Sequence, residues 1–185
     1  MLDLESYFND YEELIRPDFL FDSLELLKRT FISVRDAGAK LVIVGNGASS
    51  SIASHAALDF TKQAGVTSVT LHDPALITAY TNDYGGDHWV LEACKHHVNS
   101  LDVVVFISVS GESLNLVNAA AWLKSKNIRT VSFTGSGPNT SLAALSNVNL
   151  FVPSHAYNIV ECIHMIWITA VIDMIIGKKL YSVKN

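Results

Sequence analysis

Short apolar runs along this chain alternate with longer stretches whose apolar positions recur every three or four residues. The runs at 40–44, 66–71, 102–108, 129–134 and 149–152 have the length of buried strands, and the stretches at 50–63, 76–82, 87–99, 114–124 and 140–146 read as helices. A long apolar helix follows and ends at Ile176. Two further helices, 2–15 and 20–37, precede the first strand. Arg16-Pro17 separates them, because proline disfavours helical geometry in the residue before it. Leu24, Leu27, Phe31 and Val34 recur at helical spacing in the second, and Ala37-Gly38-Ala39-Lys40 supplies its stop. Strands of four to seven residues alternating with helices predict an α/β fold: a parallel sheet covered on both faces, a three-layer α/β/α sandwich with extra helices at its start.

Composition narrows this picture without changing it. A chain of 185 residues, 49% hydrophobic, is expected to form one domain over 1–185 with a substantial core. The formal net charge of −5, with 13 scattered Lys and Arg, argues against nucleic acid as a partner. Cys94 and Cys162 lack metal-ligand spacing and sit in apolar helical stretches, so packing in a reducing, cytoplasmic setting is expected. No signal peptide is read at the acidic start. The stretch 159–176 approaches membrane-spanning hydrophobicity, but Glu161, His164 and Asp173 favour a buried helix at a subunit interface.

Two serine-rich turns carry the candidate chemistry. Leu41-Val-Ile-Val-Gly-Asn-Gly-Ala-Ser-Ser50 and Val103-Val-Val-Phe-Ile-Ser-Val-Ser-Gly-Glu-Ser113 each join an apolar strand to a helix. Small hydroxyl residues and backbone N–H groups at such a junction suit a phosphate. Neither turn has the nucleotide-triphosphatase glycine-lysine pattern, and Gly45-Asn-Gly47 lacks the third glycine of a dinucleotide fingerprint. In a parallel sheet both turns fall outside the carboxyl edge, where ligands bind near a switch in strand order. A single turn of this kind is equally well a serine-capped helix start. The pair favours a phosphorylated small molecule.

The segment Gly45-Asn-Gly-Ala-Ser-Ser-Ser-Ile-Ala-Ser-His55 resembles the turn and following helix of sugar isomerase (SIS) domains, in particular the phosphoheptose isomerase group. Thr81-Asn-Asp-Tyr-Gly85, Ile107-Ser-Val-Ser-Gly-Glu-Ser-Leu-Asn115, Phe133-Thr-Gly135 and Val152-Pro-Ser154 extend the resemblance in the same order over nearly the whole chain. It implies a flavodoxin-like topology, a homotetramer with the N-terminal helices in its interface, and aldose–ketose isomerisation of a phosphorylated sugar through an enediol. Ser108, Ser110 and Ser113 would hold the phosphate. Asn46, Gly47 and Ser49 would meet the sugar from the first turn, and Asp83 would reach it from a loop. His55 and Asp59, four apart and so on one helix face, would bind zinc with Glu161, while Asp59 and His164 would handle protons. No nucleotide cofactor is implied.

The chain departs from that pattern at several places. Val109 stands where the group usually has threonine, Asp59 where it has glutamate, Glu161 where it has a metal-binding glutamine, and Thr169 where it has the catalytic histidine. The shorter Asp59 withdraws its carboxylate by about one methylene, and a displacement of about 1 Å can lower a rate on the order of 100-fold. Two alternatives therefore stand beside the isomerase: a regulatory tetramer that binds a phosphosugar or a replication initiator without turnover, and an isomerase for a different phosphosugar.

Overall fold

The computed structural model describes residues 3–180; Leu2, the expected first residue of the first helix, lies outside them. Two helices, α1 (Leu4–Leu14) and α2 (Leu20–Asp36), lead into β1 (Leu41–Gly45), α3 (Ala48–Lys62), β2 (Ser68–Thr70), α4 (Pro74–Tyr84) and α5 (Trp89–His97). There follow β3 (Val103–Ser108), α6 (Leu114–Ser125), β4 (Arg129–Thr134), α7 (Ser141–Leu145), β5 (Val148–Phe151) and α8 (Tyr157–Ile176). Side chains start several helices where the pattern expects them. Asp3 accepts from the N–H groups of Glu5 and Ser6, and Asp73 from those of Ala75 and Leu76 ahead of Pro74 at the first turn.

All strand pairs are parallel, in the order β2-β1-β3-β4-β5. Every residue of β1 and β3 is buried, because helices cover both faces of these strands. On one face the core joins α2, α3 and α8 through Leu27, Phe31, Phe60, Ile163 and Trp167, with Phe31 and Phe60 meeting edge to face. On the other, Phe106 and Val104 pack against Trp89 and Cys94 of α5, Leu116 and Leu123 of α6, and Leu142 of α7. The expected three-layer sandwich is the observed one.

Two boundaries differ for physical reasons. The second strand is only three residues long because it lies at the sheet edge, where Val69 is exposed. Helix α4 runs on to Tyr84 and stops at Gly85, whose φ of 83° few other residues adopt. Asp83 is therefore helical, not in a loop. Helix α8 has the length and hydropathy to cross a membrane, yet one side of it, from Ile159 to Ile172, is buried against α2, α3 and the sheet.

Candidate active site

The strand order reverses between β1 and β3, so the chain leaves these neighbours in opposite directions and opens a crevice at their carboxyl ends. Both serine turns lie there. A pocket of about 90 Å³ is lined by Asn46 and Ser49 from the first turn and by Ser108, Ser110 and Ser113 from the second, with Tyr157 and Glu161 of α8 beside them. No lysine or arginine is among the described residues lining it. Its attraction for an anion rests on hydroxyls and on the amino ends of α3 and α6, whose first N–H groups have no partner within the helix.

The backbone accounts for this shape. Gly47 starts α3 at φ 56° and ψ −128°, a conformation open to glycine, and no side chain caps the helix. At Gly45 a Cβ would stand 2.8 Å from the backbone of Ser49, so only glycine lets β1 turn so closely into α3. In the second turn the Ser108 hydroxyl accepts from the Gly111 N–H at 3.2 Å, and the Ser110 hydroxyl from the Glu112 N–H at 3.2 Å. Each hydroxyl keeps its own proton to donate. Ser113 begins α6 without a side-chain cap, which leaves its hydroxyl free of that task. Val109 is buried in the core, so its missing hydroxyl is replaced by packing.

Two residues that sequence reasoning passed over brace the first turn. Asn115 and Asn46 exchange hydrogen bonds through their amides, 3.0 Å each way, which ties the two turns together. Asn46 is thus a brace between turns as well as a pocket residue. Its partner stood in the quoted second motif, but nothing in the spacing marked the pair. The imidazole of His72, just beyond β2, accepts from the Gly45 N–H at 3.3 Å, and burial pushes its pKa down.

Of the remaining expected residues only Glu161 reaches the pocket. His55 and Asp59 face each other on α3 at 3.1 Å, but Asp59 lies ten residues beyond Ser49, about 15 Å along the helix axis. Asp83 is exposed on α4 and accepts from the Asn82 amide. Glu161 lines the pocket, where burial raises its pKa. His164, expected to handle protons, is instead wholly buried in the core. Its Nε2–H donates to the Thr134 carbonyl, 3.0 Å away, and its ring packs against Phe133 and Trp167. Burial pushes its pKa down to about 4, so it stays neutral. The Thr169 hydroxyl donates to the carbonyls of Met165 and Ile166 in its own helix.

These positions do not fit a zinc ion within one chain. Among the described residues no group of three or more His, Cys, Asp or Glu side chains could hold a metal. Only His55 and Asp59 come together, and tetrahedral zinc needs three protein ligands or four.

A parallel sheet in this order with a donor-lined pocket at its switch point describes an α/β domain suited to a small anionic ligand, and residues 75–176 match the SIS domain family. Over 94% of its length this chain is 30% identical to the phosphoheptose isomerase of Helicobacter pylori (strain P12), covering 99% of that protein. It is 31% identical to the phosphoheptose isomerase of Geobacter sp. (strain M21), over 75% of each chain. The solved structure of phosphoheptose isomerase GmhA from Neisseria gonorrhoeae superposes with a TM-score of 0.84 at 26% identity, over 93% of this chain and 94% of that one. The chain belongs to the SIS domain family and, within it, to the phosphoheptose isomerases.

Proposed function

We propose that this protein isomerises a phosphorylated seven-carbon sugar, interconverting sedoheptulose 7-phosphate and a heptose 7-phosphate for cell-envelope sugars. The observation that carries the reading is the pocket at the β1/β3 switch point, where Ser49, Ser108, Ser110 and Ser113 converge with two helix amino ends. A phosphate there is held by neutral donors, while the open-chain sugar extends away from it. In the reaction a base takes the proton from the carbon beside the carbonyl, and the carbonyl oxygen gains a proton as the enediol forms. Asp59 is assigned the base role, oriented by His55. Glu161, whose burial favours its protonated form, is the pocket group suited to give a proton to a sugar oxygen. His164 is assigned no proton-transfer role. Zinc, implied by the family, enters no step of this reading, because its donors are not assembled in one chain.

The working unit in this reading is a cytoplasmic homotetramer. Its support is apolar surface that one chain leaves uncovered: α1 buries no residue, and Leu4, Phe8 and Phe21 on the N-terminal helices and Ile166 on α8 are exposed. Light scattering on the purified protein tests the assembly.

One observation favours a second reading, phosphosugar binding without turnover: Thr169, in the place of the family's histidine, spends its hydroxyl on its own helix. The two separate in deuterated water with sedoheptulose 7-phosphate, with and without zinc. Deuterium entering beside the carbonyl, and lost in Asp59→Asn, supports the isomerase. A shifted phosphorus resonance without deuterium uptake supports binding alone.

A further inference from the structure

The phosphate turn is held from outside by the segment between β4 and α7, through contacts that the reaction does not use. Three backbone and side-chain links form this seam. The Gly135 N–H donates to the Val109 carbonyl at 2.8 Å, and the Leu142 N–H donates to the Gly111 carbonyl at 3.0 Å. Between them, one carboxylate oxygen of Glu112 accepts from the Ser141 N–H at 2.8 Å and the other from the Ser141 hydroxyl. Thr140 closes the seam: a Cβ on Gly111 would stand 2.5 Å from its Oγ1.

The geometry of these links has a direction. A peptide unit carries its carbonyl and N–H on opposite sides, so anchoring the carbonyls of Val109 and Gly111 toward the β4–α7 segment turns the N–H groups of Ser110 and Glu112 the other way. The Glu112 N–H then meets the Ser110 hydroxyl, one of the pocket's donors. Glu112 also brings a negative charge into a turn that would hold a phosphate dianion. Its bonds to Ser141 keep that charge on the outer side, and the loss of both ordinary and charge-assisted partners would release it.

We infer that Glu112 is a positioning residue for phosphate recognition: by gripping Ser141 it fixes the Gly111–Glu112 peptide and holds its own carboxylate away from the bound phosphate. This rests on the reading of the serine pocket as the phosphate site. Loss of the grip weakens binding of the phosphate, while the proton-transfer groups on α3 are left as they are.

The test compares wild type, Glu112→Ala, Glu112→Gln and Ser141→Ala, each first checked for an unchanged unfolding temperature. Inorganic phosphate binding is followed by phosphorus NMR, and KM and kcat are measured with sedoheptulose 7-phosphate. Glu112→Ala is expected to weaken phosphate binding and raise KM by about tenfold, with kcat within about twofold, as for a lost charge-assisted hydrogen bond. Glu112→Gln, which can still accept from the Ser141 N–H without the charge, restores binding, and Ser141→Ala falls between. Equal phosphate binding in wild type and Glu112→Ala overturns the inference, as does a Glu112→Gln variant as weak as Glu112→Ala. Wild type that binds no phosphate overturns instead the reading of the pocket on which it rests.

Discussion

The serine pocket and the α3–α8 face were expected to form one site, and only the pocket is assembled within a chain. Its donors stand where strands end. Parallel strands in register place their carboxyl ends side by side, so Ser49 and Ser108 through Ser113 are neighbours whatever the helices do next. His55, Asp59, Glu161, His164 and Thr169 depend on helix phase. At about 100° per residue, three positions on from Glu161 leaves a side chain about 60° around the helix. That rotation is enough to put Glu161 at the pocket and His164 in the core. Strand ends are thus safer ground for placing a ligand than residues counted along a helix.

The largest expected effect breaks the comparison on its helical side. Asp59→Asn should lower deuterium uptake on the order of 1,000-fold, the usual range for a lost general base, while phosphate binding stays intact. Loss of both together would mean that α3 and the pocket are one unit after all. On the pocket side Gly111→Ala should do the reverse. A left-handed φ of 66° and a Cβ 2.5 Å from Thr140 Oγ1 leave no room for a methyl group. The strain and displacement together come to about 3 kcal/mol, measured as weaker phosphate binding and a lower unfolding temperature.

His164 gives the comparison a pH signature. Its pKa falls from 6.5 to about 4 on folding, so the unfolded chain binds the proton more readily between those values. Stability is therefore complete above about pH 6.5 and is lost as the pH falls toward 4, by up to about 3 kcal/mol from this group. Urea unfolding across that window should show the slope, and His164→Phe should flatten it. A slope left unchanged in that variant would mean that another titrating group carries it.

Much of this was legible in the sequence, for reasons that can be named. Alternation of apolar runs with helical periodicity gave the sheet, since buried parallel strands such as residues 103–107 have no polar face to confuse the pattern. The serine turns were visible because glycine and hydroxyl residues crowd where a strand meets a helix. Asn115 and His72 were not, because their partners Asn46 and Gly45 lie 69 and 27 residues away. Asp83 lies in α4 and not in a loop, because the helix runs two residues past Asn82, to Tyr84, before Gly85 ends it. His164 was misjudged because family spacing says nothing of which way an apolar helix faces. Its neighbours Ile163 and Trp167, both buried, held that information.

The smaller effects sharpen the contrast. Ser110→Ala should weaken phosphate binding by about tenfold, the worth of one hydrogen bond to a charged group. Asn115→Ala should act through Asn46 and by less, since it leaves every pocket donor in place. The smallest effect is expected at Thr169, where the family's histidine is replaced. Its hydroxyl is already satisfied by the carbonyls of Met165 and Ile166, so it has no proton left for a substrate. Thr169→Val should therefore leave deuterium uptake within about twofold and slightly relax the helix, because such back-bonding is mildly destabilising. A larger fall would show that the hydroxyl leaves its helix to act on the sugar, and would return α8 to the chemistry. If Thr169→Val is silent, proton transfer rests on α3 and Glu161, and Thr169→His becomes the direct measure of what the family's histidine adds.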